Sequence, residues 1–222
     1  MQSEGRRSLR YGALLVSLLL LALIVPLFQQ TRLGSLAMDT VSTAILATGI
    51  WVASRARRDL AILVVLALLM MSRWLPFLDE PLAVLCSSVV GVVFFAYVAA
   101  MILADLASAT EVSLDTIGGA ACGYVMIGIT WGSLYFVIEL LHRGSFNLPP
   151  IGTSSHGTLQ SDFLQLIYYS YATLTSVGYG DISARTILAR NLSVVEAMVG
   201  QFYIAVLVAR LVSLMITQRQ SK

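Results

Sequence analysis

Residues 170–181 read Ser-Tyr-Ala-Thr-Leu-Thr-Ser-Val-Gly-Tyr-Gly-Asp, and Ser176-Val177-Gly178-Tyr179-Gly180 is the stretch best suited to chemistry. Glycines flanking a tyrosine admit backbone angles closed to residues with a Cβ. Successive carbonyls can then turn toward one axis instead of pairing in a helix or sheet. A strand of that kind requires some other group to take up those carbonyls.

The stretch closely resembles the selectivity filter of tetrameric potassium channels, usually Thr-Val-Gly-Tyr-Gly followed by Asp. In that family four copies of the loop meet on an axis, and rings of carbonyls replace the water shell of a dehydrated cation. The resemblance implies potassium ligands from the carbonyls of Ser176, Val177, Gly178 and Tyr179 and from the Ser176 hydroxyl, with Gly180 closing the motif and Thr175 just behind. It also implies that Tyr179 points away from the ion and braces the strand, and that Asp181 lies at the outer mouth. Ser176 stands where the family usually has Thr; the hydroxyl survives and a packing methyl is gone. The plain reading, a Gly-rich turn between a helix and a strand, accounts for a lone Gly-Tyr-Gly but not for the matching surroundings.

Of the 222 residues 58% are hydrophobic and 12% charged, against about 25% charge in soluble domains. An integral membrane protein is the reading. Fourteen basic against twelve acidic side chains, with the basic ones single or in short groups, argue against a nucleic-acid surface. Cys86 and Cys122 lie in separate apolar runs and are expected to be small packing residues. His142 and His156 lie in or beside a loop, away from where an intramembrane hydrolase needs a base, and no Cys/His cluster has metal spacing.

Six spans are expected: Tyr11 to Phe28, Leu33 to Ala53, Leu60 to Leu78, Leu82 to Ala104, Ile117 to Leu141 and about Leu188 to Ile216. The first is read as a retained span because no small-residue cleavage site follows it. With the N-terminus inside, eight of the fourteen basic residues fall in cytoplasmic segments (Arg6, Arg7, Arg10, Arg55, Arg57, Arg58, Arg219 and Lys222) and Arg32, Arg143 and Arg185 in outer ones, as the positive-inside rule requires. Both termini are then cytoplasmic, and the filter loop enters from outside. Short loops suggest a plasma membrane, by association a bacterial inner membrane. Asp39 and Arg73, at similar depths in the second and third spans, are expected to pair.

Arg143 to Gln160 reads as an exposed turret without chemistry. Ser161 reads as a helix cap with Asp162 in the first turn. A helix from Asp162 to Leu174 is ~18–20 Å long, enough to enter a ~30 Å core halfway and re-enter. Its negative C-terminal end favours a cation below the filter. By the resemblance, Tyr168 and Tyr169 buttress the filter tyrosine, and Ala172 occupies a position where some members carry Glu. Gly200, nineteen residues after Asp181, has the spacing of the family's inner-helix hinge; close helix packing explains it equally well. Gln201, Ile204 and Val208 share one helical face and match the family's pore-lining set. Glu196 is read as lying behind the filter, hydrogen-bonded to the pore-helix region, because intramembrane charges are costly. Gly119 with Gly123 and Gly128 with Gly132 are expected to pack against the sixth span or a neighbouring subunit.

The reading is an all-α membrane protein with six transmembrane helices and a re-entrant pore helix and filter between the fifth and sixth. Residues 1–116 form a four-helix domain with a voltage-sensor layout but no gating charges, and residues 117–222 form the pore domain. The fourth span carries no charge, and Arg73 alone supplies one, worth ~2.3 kcal/mol per 100 mV, so steep voltage gating is not expected. The resemblance implies a passive potassium channel: a homotetramer in membrane lipid, with permeant potassium and no cofactor, no enzymatic activity and no nucleic-acid partner. Little chain follows the sixth span, so ligand control is expected to need a separate regulatory subunit. The alternatives are a weakly selective cation channel, suggested by Ser176, and the membrane subunit of a potassium transporter.

Overall fold

A computed structural model describes residues 81–150 and 159–220, together with Leu15, Val64, Val65 and Leu68. Apart from those four residues, the first three expected spans lie outside the described residues, as do the Asp39–Arg73 pair and His156. The elements in order are α1 (Pro81–Ser108), α2 (Leu114–Leu141), β1 (Phe146–Asn147), α3 (Leu159–Leu174), β2 (Ser183–Ala184) and α4 (Ile187–Gln220). Among the described residues three helices are long and apolar enough to cross a membrane: α1, most of α2, and α4 as far as Ile216. In hydrocarbon a helix satisfies its own backbone, which is why long apolar runs adopt it. Helix α3 has 16 residues, about 24 Å at 1.5 Å per residue, short of a ~30 Å core.

From residue 81 on, the described residues divide into two compact units, one holding 97–125 and 211–220, the other 81–96, 126–150 and 159–210. In the first, Ser113 caps α2: its Oγ accepts from Thr116 N at 3.1 Å, and Thr116 Oγ1 accepts from Ser113 N at 3.4 Å. This reciprocal pair satisfies orphan donors in the manner of a capping box. Cys122 is buried as expected, but Cys86, in the second unit, is exposed.

The second unit has a core of Tyr135, Phe136 and Ile138 from α2, Phe146 from β1, Leu166 from α3 and Ala189 from α4. Aromatic rings dominate it. Tyr135, Phe146 and Tyr169 pack mutually with centroids 5.2–5.5 Å apart, within the range where tilted and edge-on ring pairs add to area burial.

The segment expected to be an exposed turret is instead partly core. Ser145 and Phe146 are buried, and β1 pairs antiparallel with β2, Phe146 opposite Ala184 and Asn147 opposite Ser183. Helix α3 begins at Leu159, two residues before the expected cap. Ser161 therefore lies in its first turn, while Asp162 faces Arg143 at 3.3 Å. The Gly128 and Gly132 pair packs on α3, not on α4: a Cβ at Gly132 would stand 2.8 Å from the Ile167 Cα, and one at Gly128 would run into the Tyr171 ring. The small residues bring α2 close to the short helix.

Candidate functional site

The site is the junction where α3 ends and residues 175–181 begin. The last turn of a helix leaves carbonyls without partners, and here the following chain folds back to supply donors. Thr175 N donates to Tyr171 O at 3.0 Å, Ser176 N to Thr173 O at 2.9 Å, and Val177 N and Gly178 N both to Ala172 O at 3.0 Å. Thr175 Oγ1 donates to Tyr171 O at 2.7 Å.

Backbone conformation then alternates. Ser176, Gly178 and Gly180 have φ of 59°, 56° and 81°, whereas Val177 and Tyr179 between them are not in the left-handed region. For the two glycines this is cheap. For Ser176 the left-handed region costs ~1–2 kcal/mol, so the flanking hydrogen bonds hold it against a local preference. Sequence reasoning assigned the unusual angles to the glycines and missed Ser176; the signal was its two-residue spacing from Gly178.

Tyr179 is exposed, and its ring stacks on Tyr168 with centroids 6.1 Å apart and planes 6° from parallel. Asp181 lies beside the same tyrosine, within hydrogen-bonding reach of the Tyr168 phenol. Tyr169 does not join this stack. One residue along the helix it faces another way, sharing a 2.7 Å hydrogen bond between its hydroxyl and Ser193 Oγ and packing on Tyr135 and Phe146.

Glu196 of α4 is completely buried. Tyr135 of α2 donates its hydroxyl to Oε2 at 2.6 Å, and Ser170 of α3 lies 2.5 Å from Oε1. Ser170 Oγ also reaches the Gly128 carbonyl at 2.8 Å. Three helices thus meet on one carboxyl group. Gly200, one turn further along α4, abuts the end of α3, where a Cβ would collide with the Leu174 carbonyl oxygen and stand 3.0 Å from its carbon. The next residue reaches the junction itself: Gln201 Nε2 donates to Ser176 Oγ at 2.9 Å. Ile204 and Val208 continue that face and are exposed, as are Ser176 and Val177.

Sequence reasoning did not single out Glu139. It is buried near the end of α2 and accepts from Gly144 N at 2.7 Å and Phe146 N at 3.0 Å, one on each carboxylate oxygen. Gly144, at φ 84°, turns the chain, and Ser145 O then accepts from Arg185 N at 2.7 Å. The segment after residue 181 is so tied through β1 to Glu139. Its polar position at the end of an apolar run was the available signal. Glu139→Ala leaves two amides without their acceptor, one of them buried, and should destabilise the protein by roughly 3 kcal/mol. Glu139→Gln keeps one acceptor oxygen and should cost about half as much. Thermal unfolding in detergent, with the rate of proteolysis after residue 143, checks the order wild type, Gln, Ala.

Residues 123–217 match a family model described as Ion channel. No significant match was found among curated proteins or among solved structures. The family match covers the second half of α2, the junction and most of α4. It supports an ion channel domain, and with the long apolar helices a multi-pass membrane protein.

Proposed function

We propose that the protein is a passive potassium-selective channel in which four copies of residues 176–180 surround one central pore. The observation that carries the proposal is the left-handed backbone at alternate residues 176, 178 and 180. Positive φ at every second residue turns successive N–H groups to one side of the strand and the carbonyls to the other. The N–H groups of Ser176, Val177 and Gly178 return to α3, which leaves the carbonyl side free to face an axis. One chain supplies a quarter of each ring, so a tetramer is required.

The dimensions of α3 suit a re-entrant pore helix, since irregular backbone at membrane depth is tolerated only inside protein or along a water-filled path. Its C-terminal end carries a partial negative charge that favours a cation beneath the filter. Tyr168 and Tyr179 brace the strand from behind, and Asp181 sits at the outer mouth. Gln201, Ile204 and Val208 line the cavity, and the remaining exposed apolar surface of α4 meets lipid and the neighbouring copies. Helix α1 has no basic residue, in keeping with a channel that is not steeply voltage-gated. Both termini are assigned to the cytoplasm and the protein to a plasma membrane.

Ion flux into liposomes under potassium or sodium gradients tests the proposal. Potassium flux should exceed sodium flux by at least tenfold and be blocked by barium. Equal fluxes would favour the weakly selective channel that a missing methyl at Ser176 allows, and Ser176→Thr should then restore selectivity.

A further inference from the structure

We infer that Gln201 sets the strength of the innermost cation position of the filter, through the hydrogen bond it donates to Ser176. The inference rests on the potassium-channel reading and adds a specificity-determining residue to it. Two contacts from adjacent residues of α4 meet the same junction. Gly200 lies against the Leu174 carbonyl, two residues before Ser176, and Gln201 Nε2 donates to the Ser176 hydroxyl at 2.9 Å. That hydroxyl belongs to the residue held at φ 59°.

A serine hydroxyl has one hydrogen and two lone pairs. With the Gln201 N–H on one lone pair, a single pair remains for a cation. The amide hydrogen also brings the positive end of a dipole to the ligand oxygen. Both effects weaken cation binding at this position relative to an unbridged hydroxyl. Conduction needs each site strong enough to fill and weak enough to empty, and the bridge moves the innermost one toward emptying. Because the donor is carried by α4 immediately after its contact with the end of α3 at Gly200, a displacement of α4 there would break the bridge and strengthen the site. Position of the inner helix is thereby read at the cation.

The test is potassium titration of the purified full-length protein by calorimetry, with sodium as the reference ion. Wild type, Gln201→Leu, Ser176→Ala and the double variant form a cycle. Gln201 is exposed in the chain, and Gln201→Met serves as a second apolar replacement of similar length should the leucine variant fold poorly. Loss of the amide donor should tighten potassium binding about fivefold, the equivalent of one ordinary hydrogen bond. In the Ser176→Ala background the same replacement should change nothing. An unchanged affinity in Gln201→Leu and Gln201→Met, or an equal change in both backgrounds, overturns the bridge while leaving the potassium reading in place. A wild-type protein with no preference for potassium over sodium overturns that reading, and the inference with it.

Discussion

Gly200→Ala should lower the stability of the folded protein, although alanine is the better helix former by about 1 kcal/mol. The sign carries the information. At a glycine kept only as a hinge, with open space around its Cα, alanine would stabilise the helix by that amount. Here the added methyl runs into the Leu174 carbonyl oxygen and comes within 3.0 Å of its carbon. The obstacle is backbone, at the end of α3, and cannot rotate away as a side chain can. Overpacking of this kind typically costs 1–3 kcal/mol, and a backbone obstacle puts it at the upper end, so after the helix gain of about 1 kcal/mol the net effect should be destabilising by up to about 2 kcal/mol. Gly200→Ser should behave alike. Thermal unfolding of the detergent-purified protein, compared with an exposed α4 control such as Val206→Ala, measures it. A raised melting temperature in Gly200→Ala would assign the glycine to flexibility and detach α4 from the junction. The same substitution bears on flux, because relief of the clash must move either α4 or the chain leading into Ser176.

How much of this was legible in the sequence follows from the range of each interaction. Long apolar runs report helices directly, and α1, α2 and α4 cover the expected fourth, fifth and sixth spans, each extended by a few residues at one or both ends. Close packing at Gly200 was one of two readings that spacing left open, because spacing locates a glycine without showing what lies opposite it. The antiparallel pair of β1 and β2 was not legible: two residues a side produce no alternation to detect, and the segment's Gly, Pro and Ser content pointed to an exposed loop. Nor were Tyr135, Ser170 and Glu139. Each is a polar side chain in a helix, and its role depends on which face of a neighbouring element it meets. Tyr168 and Tyr169 illustrate the limit. Adjacent in sequence, they are turned about 100° apart on a helix of 3.6 residues per turn, so that one stacks on Tyr179 and the other bonds Ser193.

Glu196→Ala should destabilise the protein by on the order of 3–5 kcal/mol, the largest effect expected from a single substitution here. The side chain is fully buried, so its removal leaves a cavity where α2, α3 and α4 meet. It also orphans the Tyr135 hydroxyl, which loses its 2.6 Å acceptor. Ser170 is less affected, since the Gly128 carbonyl remains within 2.8 Å. Glu196→Gln should cost less than about 1 kcal/mol. The amide oxygen can still accept from Tyr135, and the amide nitrogen can donate to Ser170, whose single hydrogen is then free for Gly128. Tyr135→Phe isolates one arm of the arrangement by leaving a carboxyl oxygen without its donor, at about 1–3 kcal/mol. If the three helices are joined through this group, Glu196→Ala and Tyr135→Phe should be strongly non-additive, because the alanine variant has already lost the bond that the second change removes. Additive losses in melting temperature would mean that Glu196 fills space without joining the helices. Since Glu196 lies one turn before Gly200 on the same helix, loosening it should also free α4 at the junction, with cation flux changing in parallel with stability across the series.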